Sequence, residues 1–419
     1  MPTLCGTLLQ PLSPTDCRVT PGAVVSISDA GRVTQIATGA AAAGAVGDEG
    51  CWILPGFIDA HLHVPQWDRR GIDGLPLGQW QQSVGYPAEA RMADSTTARD
   101  IAQEFVTGMI ANGTTTVAAF GSPFAQEVDS TFAVFEQRGL RAIYGMMLND
   151  RGCPAELMQT PDLALEQSRT LAAKWHGAQG GRLRYAFSPR TPIRCSEEMM
   201  RGAATLAGML KCHLQTHVAE SLEELAEVRE LYPDYVDEVD VFCQMGMLSS
   251  RTLLAHGVFM NQQQRRQLAD SGAALVHCPT ANLFRESGLM DYVAHCRAGI
   301  RIALGSSIAG GPEPFMPRVA AEGLHTAKAI KVHTLPRRST PVPTPVEAWW
   351  VLTRGAAHAL NIADQTGGIE PGLAADCLVV RPEKWIADLP PQQQVSALLY
   401  TIAPSQIEHV YIAGRRVGP

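Results

Sequence analysis

His61 and His63 are the residues whose type and spacing most directly suggest chemistry. They lie in the stretch Pro55-Gly56-Phe57-Ile58-Asp59-Ala60-His61-Leu62-His63-Val64-Pro65-Gln66. Side chains of a β-strand alternate faces, so histidines two positions apart leave the same face. Imidazole nitrogens side by side on one rigid strand are ready ligands for a borderline metal such as zinc. The apolar run Trp52-Ile53-Leu54, then Pro55-Gly56, reads as a buried strand reaching a polar mouth. A bare His-x-His is weak evidence, because satisfied core histidines are common. Its weight depends on what other strands supply.

The elements that must position the pair follow from the pattern between residues 53 and 365. Strand-like and helix-like segments alternate there, as in a parallel sheet with crossover helices. Eight strand candidates fall at 53–61, 114–120, 141–147, 182–188, 213–217, 252–256, 273–278 and 300–305, with helical periodicity at 97–111, 197–210, 222–231 and 261–271. Eight strands with intervening helices predict an α/β fold, a (β/α)8 TIM-like barrel whose active site lies at the C-terminal strand ends. An open doubly wound sheet would carry a Gly-rich phosphate turn after its first strand, and none stands there. Residues 1–52 and 366–419 read as β segments at the two chain ends that pair into one small β domain beside the barrel of 53–365. The Ala/Gly stretch 39–50 reads as a loose connection, and the Pro-rich stretches near 310–314 and 336–345 as rigid loops at the barrel mouth.

Other chemistry-bearing residues fall at the same predicted strand ends. His217 closes the fifth strand and faces the mouth, completing a three-histidine set with His61 and His63. Glu220 follows in the exit turn, in reach to relay a proton beside a metal. His256 ends the sixth strand. His213 shares the inward face at a deeper level and reads as a satisfied core histidine. The turn His277-Cys278-Pro279-Thr280-Ala281-Asn282 reads as shaping its loop rather than binding metal.

Composition bounds the alternatives. The chain has 419 residues, 46% hydrophobic and 18% charged, and a formal net charge of −7, ordinary for a globular protein. That acidic balance gives no reason to expect nucleic-acid binding. The ten cysteines are scattered without a C-x-x-C, which predicts reduced thiols rather than a disulfide framework or zinc finger. No signal-like segment and no long apolar run stand in the sequence, so no membrane association and a cytoplasmic location are expected. The zinc deaminases of the cytidine type need H-x-E and P-C-x-x-C; the spacing around His217 and Cys278 does not match.

Taken in order, several motifs resemble the amidohydrolase superfamily. They are Pro55 to Gln66, His217-x-x-Glu220, His256-Gly257, His277-Cys278-Pro279-x-x-Asn282 and Leu304-Gly305-x-x-x-Ala309-Gly310-Gly311. Within it they are most similar to guanine deaminases and related aminohydrolases acting on nitrogen heterocycles. The likeness takes in Leu75-Pro76-Leu77, Trp80, Tyr86-Pro87-Ala88-Glu89, Asn112-Gly113-Thr114-Thr115-Thr116, Ser188-Pro189-Arg190 and Gly367-Gly368-Ile369 with Ala375-Asp376. The resemblance implies one divalent metal, zinc with iron as the other candidate, held by His61, His63 and His217, and a water activated for attack. It implies that Glu220 protonates a ring nitrogen and shuttles the water's proton, and that His256 holds the developing tetrahedral centre. It makes Gln66 and Arg190 substrate-binding residues, the substrate a small heterocycle and the protein a homodimer. Such roles suit an amide that offers donor and acceptor and a guanidinium that holds a carbonyl oxygen. No lysine ends the fourth strand, so the carbamate-bridged two-metal variant is not expected.

One position departs from that pattern. The family carries a metal-ligating aspartate after the eighth strand, where this chain has Ser307 within Leu304-Gly305-Ser306-Ser307-Ile308-Ala309. A neutral hydroxyl is a poor ligand beside a carboxylate and no base near pH 7. Three readings follow: a hydrolase in which Glu220 and His256 carry the proton transfers, a catalytically impaired paralogue, and a triazine-like hydrolase with a different leaving group. Thr191 stands where the guanine-type pattern tends to an aromatic.

Overall fold

The structure is a computed structural model that describes residues 2–40, 43–72, 75–334 and 341–418. Part of the Ala/Gly connection (41–42) and part of the Pro-rich stretch (335–340) therefore lie outside the described residues.

The N-terminal segment forms β1 (Thr3–Ser13), β2 (Asp16–Ile27) and β3 (Val33–Thr38) as antiparallel neighbours, and β4 (Trp52–Pro55) runs parallel to β1. The barrel strands follow: β5 (Phe57–His63), β6 (Thr114–Phe120), β7 (Arg141–Gly145), the two-residue β8 (Met147–Leu148), β9 (Leu183–Pro189), β10 (His213–Val218), β11 (Thr252–His256), β12 (Ala274–His277) and β13 (Arg301–Leu304). The chain returns to the first sheet as β14 (Cys377–Val380), β15 (Ile407–Ile412) and β16 (Arg415–Gly418), giving the order β16-β15-β14-β4-β1-β2-β3. Both chain ends thus share one sheet beside the barrel, as the sequence predicts.

The expected single strand over 53–61 is two strands with different partners. Pro55-Gly56 lets the chain leave one sheet and enter the other, and a Cβ at Gly56 would come within 2.1 Å of Thr115 Oγ1. Trp52 to Pro55 pair with β14, whereas Phe57 onward pairs with β6. β1 escapes the sequence reading altogether because Gly6 and Pro11 interrupt its alternation.

The barrel strands are parallel in the order β5-β6-β7-β9-β10-β11-β12-β13, with β8 beside β9. Helices such as Ser95–Ala111, Ala125–Arg138, Pro161–Trp175, Glu197–Leu210 and Gln262–Ser271 cross between them. Small apolar residues fill the interior, among them Ala60, Ala118, Ala186, Ala274, Val276 and Ala303, as a barrel without a pore requires. At the mouth the ring closes through backbone: Ser307 N–H donates to His61 O (2.8 Å) and His63 N–H to Ile308 O (2.8 Å).

Candidate active site

β5 makes a register shift against β6 between Asp59 and Leu62. A bulge of this kind re-aims the side chains after it; here His61 and His63 both pack against Phe120, with ring centres 5.3 and 5.0 Å away. Asp59 pins the bulge. Its Oδ1 accepts from the backbone N–H of His61 (3.3 Å) and Ser306 (3.0 Å), and its Oδ2 from the Ser306 hydroxyl (2.5 Å). Burial pushes the Asp59 carboxyl up to about 7.

His217 comes up from β10 to meet this pair. His63 Nε2 and His217 Nε2 lie 3.2 Å apart, close to the roughly 3.3 Å edge of a tetrahedron of zinc-bound nitrogens. His217 Nδ1 lies 2.8 Å from Arg190 O; a carbonyl only accepts, so Nδ1 carries the proton and Nε2 keeps a bare lone pair. His61 Nε2 and His63 Nδ1 are buried and without a hydrogen-bond partner among the described residues. Donor atoms of His61, His63 and His217 all lie within 4.8 Å of one another. Burial lowers the pKa of all three, His217 to about 3 and the others well below the usual range. Neutral imidazoles are what a divalent metal requires of its ligands. The donor set therefore fits one such ion.

His256, at the end of β11, stacks on His217 with ring centres 5.7 Å apart. Its Nδ1–H donates to Asn282 Oδ1 (2.8 Å), which turns the unprotonated Nε2 toward Glu220 Oε2 at 3.4 Å. Burial lowers the His256 pKa to about 3. The other Glu220 oxygen is in an ion pair with Arg285, whose guanidinium also faces Trp80, 5.6 Å from the ring. Sequence reasoning missed Arg285. It follows the short helix Pro279–Phe284, and no spacing rule marks one cation in that turn as facing inward.

The opposite wall is a buried charge network. Arg190 forks onto Glu89 through two hydrogen bonds of 2.7 and 2.9 Å. Gln66 Nε2 donates to the same carboxylate (3.1 Å), while Gln66 Oε1 accepts from Ala309 N–H (3.3 Å). Arg190 is thus in a buried fork, not in a rim salt bridge, with Tyr86 under its guanidinium at 5.0 Å.

A narrow cleft, partly open to solvent, is lined by His63, Gln66, Arg190, His217, Glu220 and Ser307, among others. The structure therefore brings the candidate site residues together, with His61 and His256 behind the cleft wall. Ser307 is held in the left-handed region (φ 51°), where aspartate is more at ease than serine. Neither Glu313, in the Pro-rich loop that follows, nor Asp291, from another segment, takes the place of the missing carboxylate. Glu313 accepts from Phe315 N–H, and Asp291 caps the helix Tyr292–Arg297. His213 is a buried core residue as expected, but only half satisfied: Nε2 lies 2.8 Å from Leu360 O, while Nδ1 has no hydrogen-bond partner among the described residues. Cys278 Sγ lies within 4.8 Å of donor nitrogens of His61 and His256.

A parallel eight-stranded barrel with histidines converging at its C-terminal mouth defines a barrel hydrolase of the metal-dependent kind. The chain belongs to the amidohydrolase family, which its residues 52–417 match. It is 33% identical over 370 residues, 86% of this chain and 82% of the relative, to the protein named "Probable guanine deaminase" of Deinococcus radiodurans. It is 32% identical over 331 residues, 79% of this chain and 73% of the relative, to the guanine deaminase of Escherichia coli K12. A solved structure of E. coli guanine deaminase superposes with a TM-score of 0.91 at 26% identity, covering 99% of both chains. Among the described residues no helix is long and apolar enough to cross a membrane.

Proposed function

We propose that this chain hydrolyses the exocyclic amino group of guanine or a closely related heterocycle, releasing ammonia. The observation that carries this reading is the convergence of His61, His63 and His217, with the His256–Glu220 pair, on the cleft that Gln66 and Arg190 also line. Relatives above 30% identity that bear the guanine deaminase name support the substrate class. In this reading His61, His63 and His217 hold one divalent ion, zinc in the first place and iron in the second. When bound, that ion supplies a Lewis acid and a water of lowered pKa.

The residues of the chain do the rest. Glu220 takes one proton of the attacking water and passes it to a ring nitrogen; the second proton of that water goes to the amino group, which leaves as ammonia as the oxygen left on the ring carbon becomes its carbonyl. His256, held in one tautomer by Asn282, offers Nε2 to the tetrahedral centre. Gln66 reads a purine edge with donor and acceptor, and the Arg190–Glu89 fork orients it. The ten unpaired thiols support a reducing compartment, and a cytoplasmic homodimer with a place in purine breakdown completes the proposal. The test is ammonia release from guanine, other purines, pterins and triazines by protein of measured metal content. Turnover of guanine with one metal per chain is expected. One metal per chain and no turnover of any compound in the panel overturns the proposal, and turnover of a triazine alone gives the leaving-group reading instead.

A further inference from the structure

Arg285 reaches the cleft from just beyond the motif that ends at Asn282, and its guanidinium engages one carboxylate. Its Nη2–H donates to Glu220 Oε1, while the other Glu220 oxygen lies 3.4 Å from His256 Nε2. Both side chains are buried. The cation is seated from two further sides. The Trp80 ring lies 5.6 Å from its Cζ, and Gly310 leaves the space that the guanidinium occupies, since a Cβ there would stand 2.5 Å from Cζ and from Nη1. Arg285 follows Asn282 by three residues, about one helical turn, and its backbone N–H donates to Ala281 O at 3.0 Å. Asn282 in turn fixes His256 through Nδ1. One turn of chain therefore holds both members of the His256–Glu220 pair, one by an amide and the other by a cation.

The pair needs such a hold. Glu220 Oε2 and the unprotonated His256 Nε2 are both acceptors, so neither draws the other into place. A guanidinium keeps its protons at any working pH, so it can grip Oε1 without entering the proton traffic. The grip matters more in this chain than it would beside a second carboxylate, because Ser307 is neutral. We propose that Arg285 is a positioning residue: it holds Glu220 by one oxygen so that the other stays beside His256, free to take and give the proton. The inference rests on the reading of Glu220 as the proton carrier and goes beyond it in naming what aims that carboxylate.

Three variants of the full-length, metal-loaded protein test this in two readouts. The first is kcat and KM for ammonia release at measured metal content. Arg285→Met should lower kcat roughly 100-fold. KM should move by less than about threefold, as for an interaction needed only in the transition state. Arg285→Lys keeps the charge without the planar fork and should recover roughly tenfold of that loss. Removing a cation beside a buried carboxylate can also unfold a chain, so Gly310→Ala serves as a variant that keeps every charge. Its methyl group takes the guanidinium's place and should lower kcat about tenfold. The second readout needs no turnover: crystal structures of the parent and the variants. Glu220 should stay beside His256 in the parent and in Arg285→Lys, and turn away in Arg285→Met and Gly310→Ala. A carboxylate that stays in place in both of the latter, or one that turns away with kcat unchanged, overturns the inference while the proposed function stands. A parent that turns over no compound in the panel overturns the proposed function, and the same two crystal outcomes then decide whether Arg285 places Glu220.

Discussion

The two walls of the cleft are built on opposite principles. The histidine wall is neutral and strand-borne, with His61 and His63 on β5, His217 on β10 and His256 on β11, and the last two fixed through Nδ1 by a backbone carbonyl and an amide. The facing wall is ionic and comes from loops and short helices, with Glu89 from Tyr86–Ala90, Arg190 just after β9 and Arg285 just after Pro279–Phe284. Neutral rings at rigid strand ends can wait for a metal without destabilising the fold. Buried charges cannot wait for a substrate alone, and each one here already has a partner of opposite sign. The difference predicts that mutations on the two walls fail in different assays.

The largest effect is expected from His63→Ala. Losing one imidazole of the set should bring metal content to near zero and ammonia release to background, by metal analysis and a coupled ammonia assay. Compared metal-free, the variant should be destabilised by about 2 kcal/mol, because the buried ring stacked on Phe120 and His217 leaves a cavity. A variant that keeps its metal breaks the assignment of the histidine wall.

Glu89→Gln should behave in the reverse manner. Glu89 is fully buried, and the change leaves the Arg190 guanidinium buried with its charge uncompensated. Removing one partner of such a pair costs about 3–5 kcal/mol, readable as a fall in denaturant midpoint at unchanged slope. Metal content should hold. Adding Arg190→Met to Glu89→Gln should recover part of the loss, since the double change removes both charges. A stability change under about 1 kcal/mol for Glu89→Gln alone would show that solvent reaches the pair and that the contrast between the walls is false.

The same contrast marks what the sequence makes legible. The histidine wall follows from local rules: period two puts His61 and His63 on one face, and strand ends place His217 and His256. The barrel and the sheet shared by the chain ends are legible for the same reason. The ionic wall is not local. Glu89 and Arg190 are 101 residues apart and Glu220 and Arg285 are 65 apart, so each pairing exists only after the barrel has closed. Motif likeness takes in Gln66, Glu89 and Arg190 but does not say that the carboxylate joins the other two. The break at Gly56 is missed because an apolar run looks alike in either sheet.

The smallest expected effect concerns the turn that connects the walls. Ala219, between His217 and Glu220, has φ 47° and donates its N–H to Glu238 Oε2 at 2.7 Å. Burial, opposed by that hydrogen bond and reinforced by Glu224, raises the Glu238 pKa from its usual 4.5 to about 8. Between those values the folded chain holds a proton that the unfolded chain has released, so stability falls as pH rises and levels off above about 8. Glu238→Gln keeps an acceptor for Ala219 and removes the titration. Thermal unfolding between pH 5 and 8 should show the parent losing stability relative to the variant with a slope of about one proton, while ammonia release at pH 7 changes little. An equal slope in both proteins would mean that Glu238 is ionised throughout, and the turn joining the neutral wall to Glu220 would then belong with the ionic half of the site.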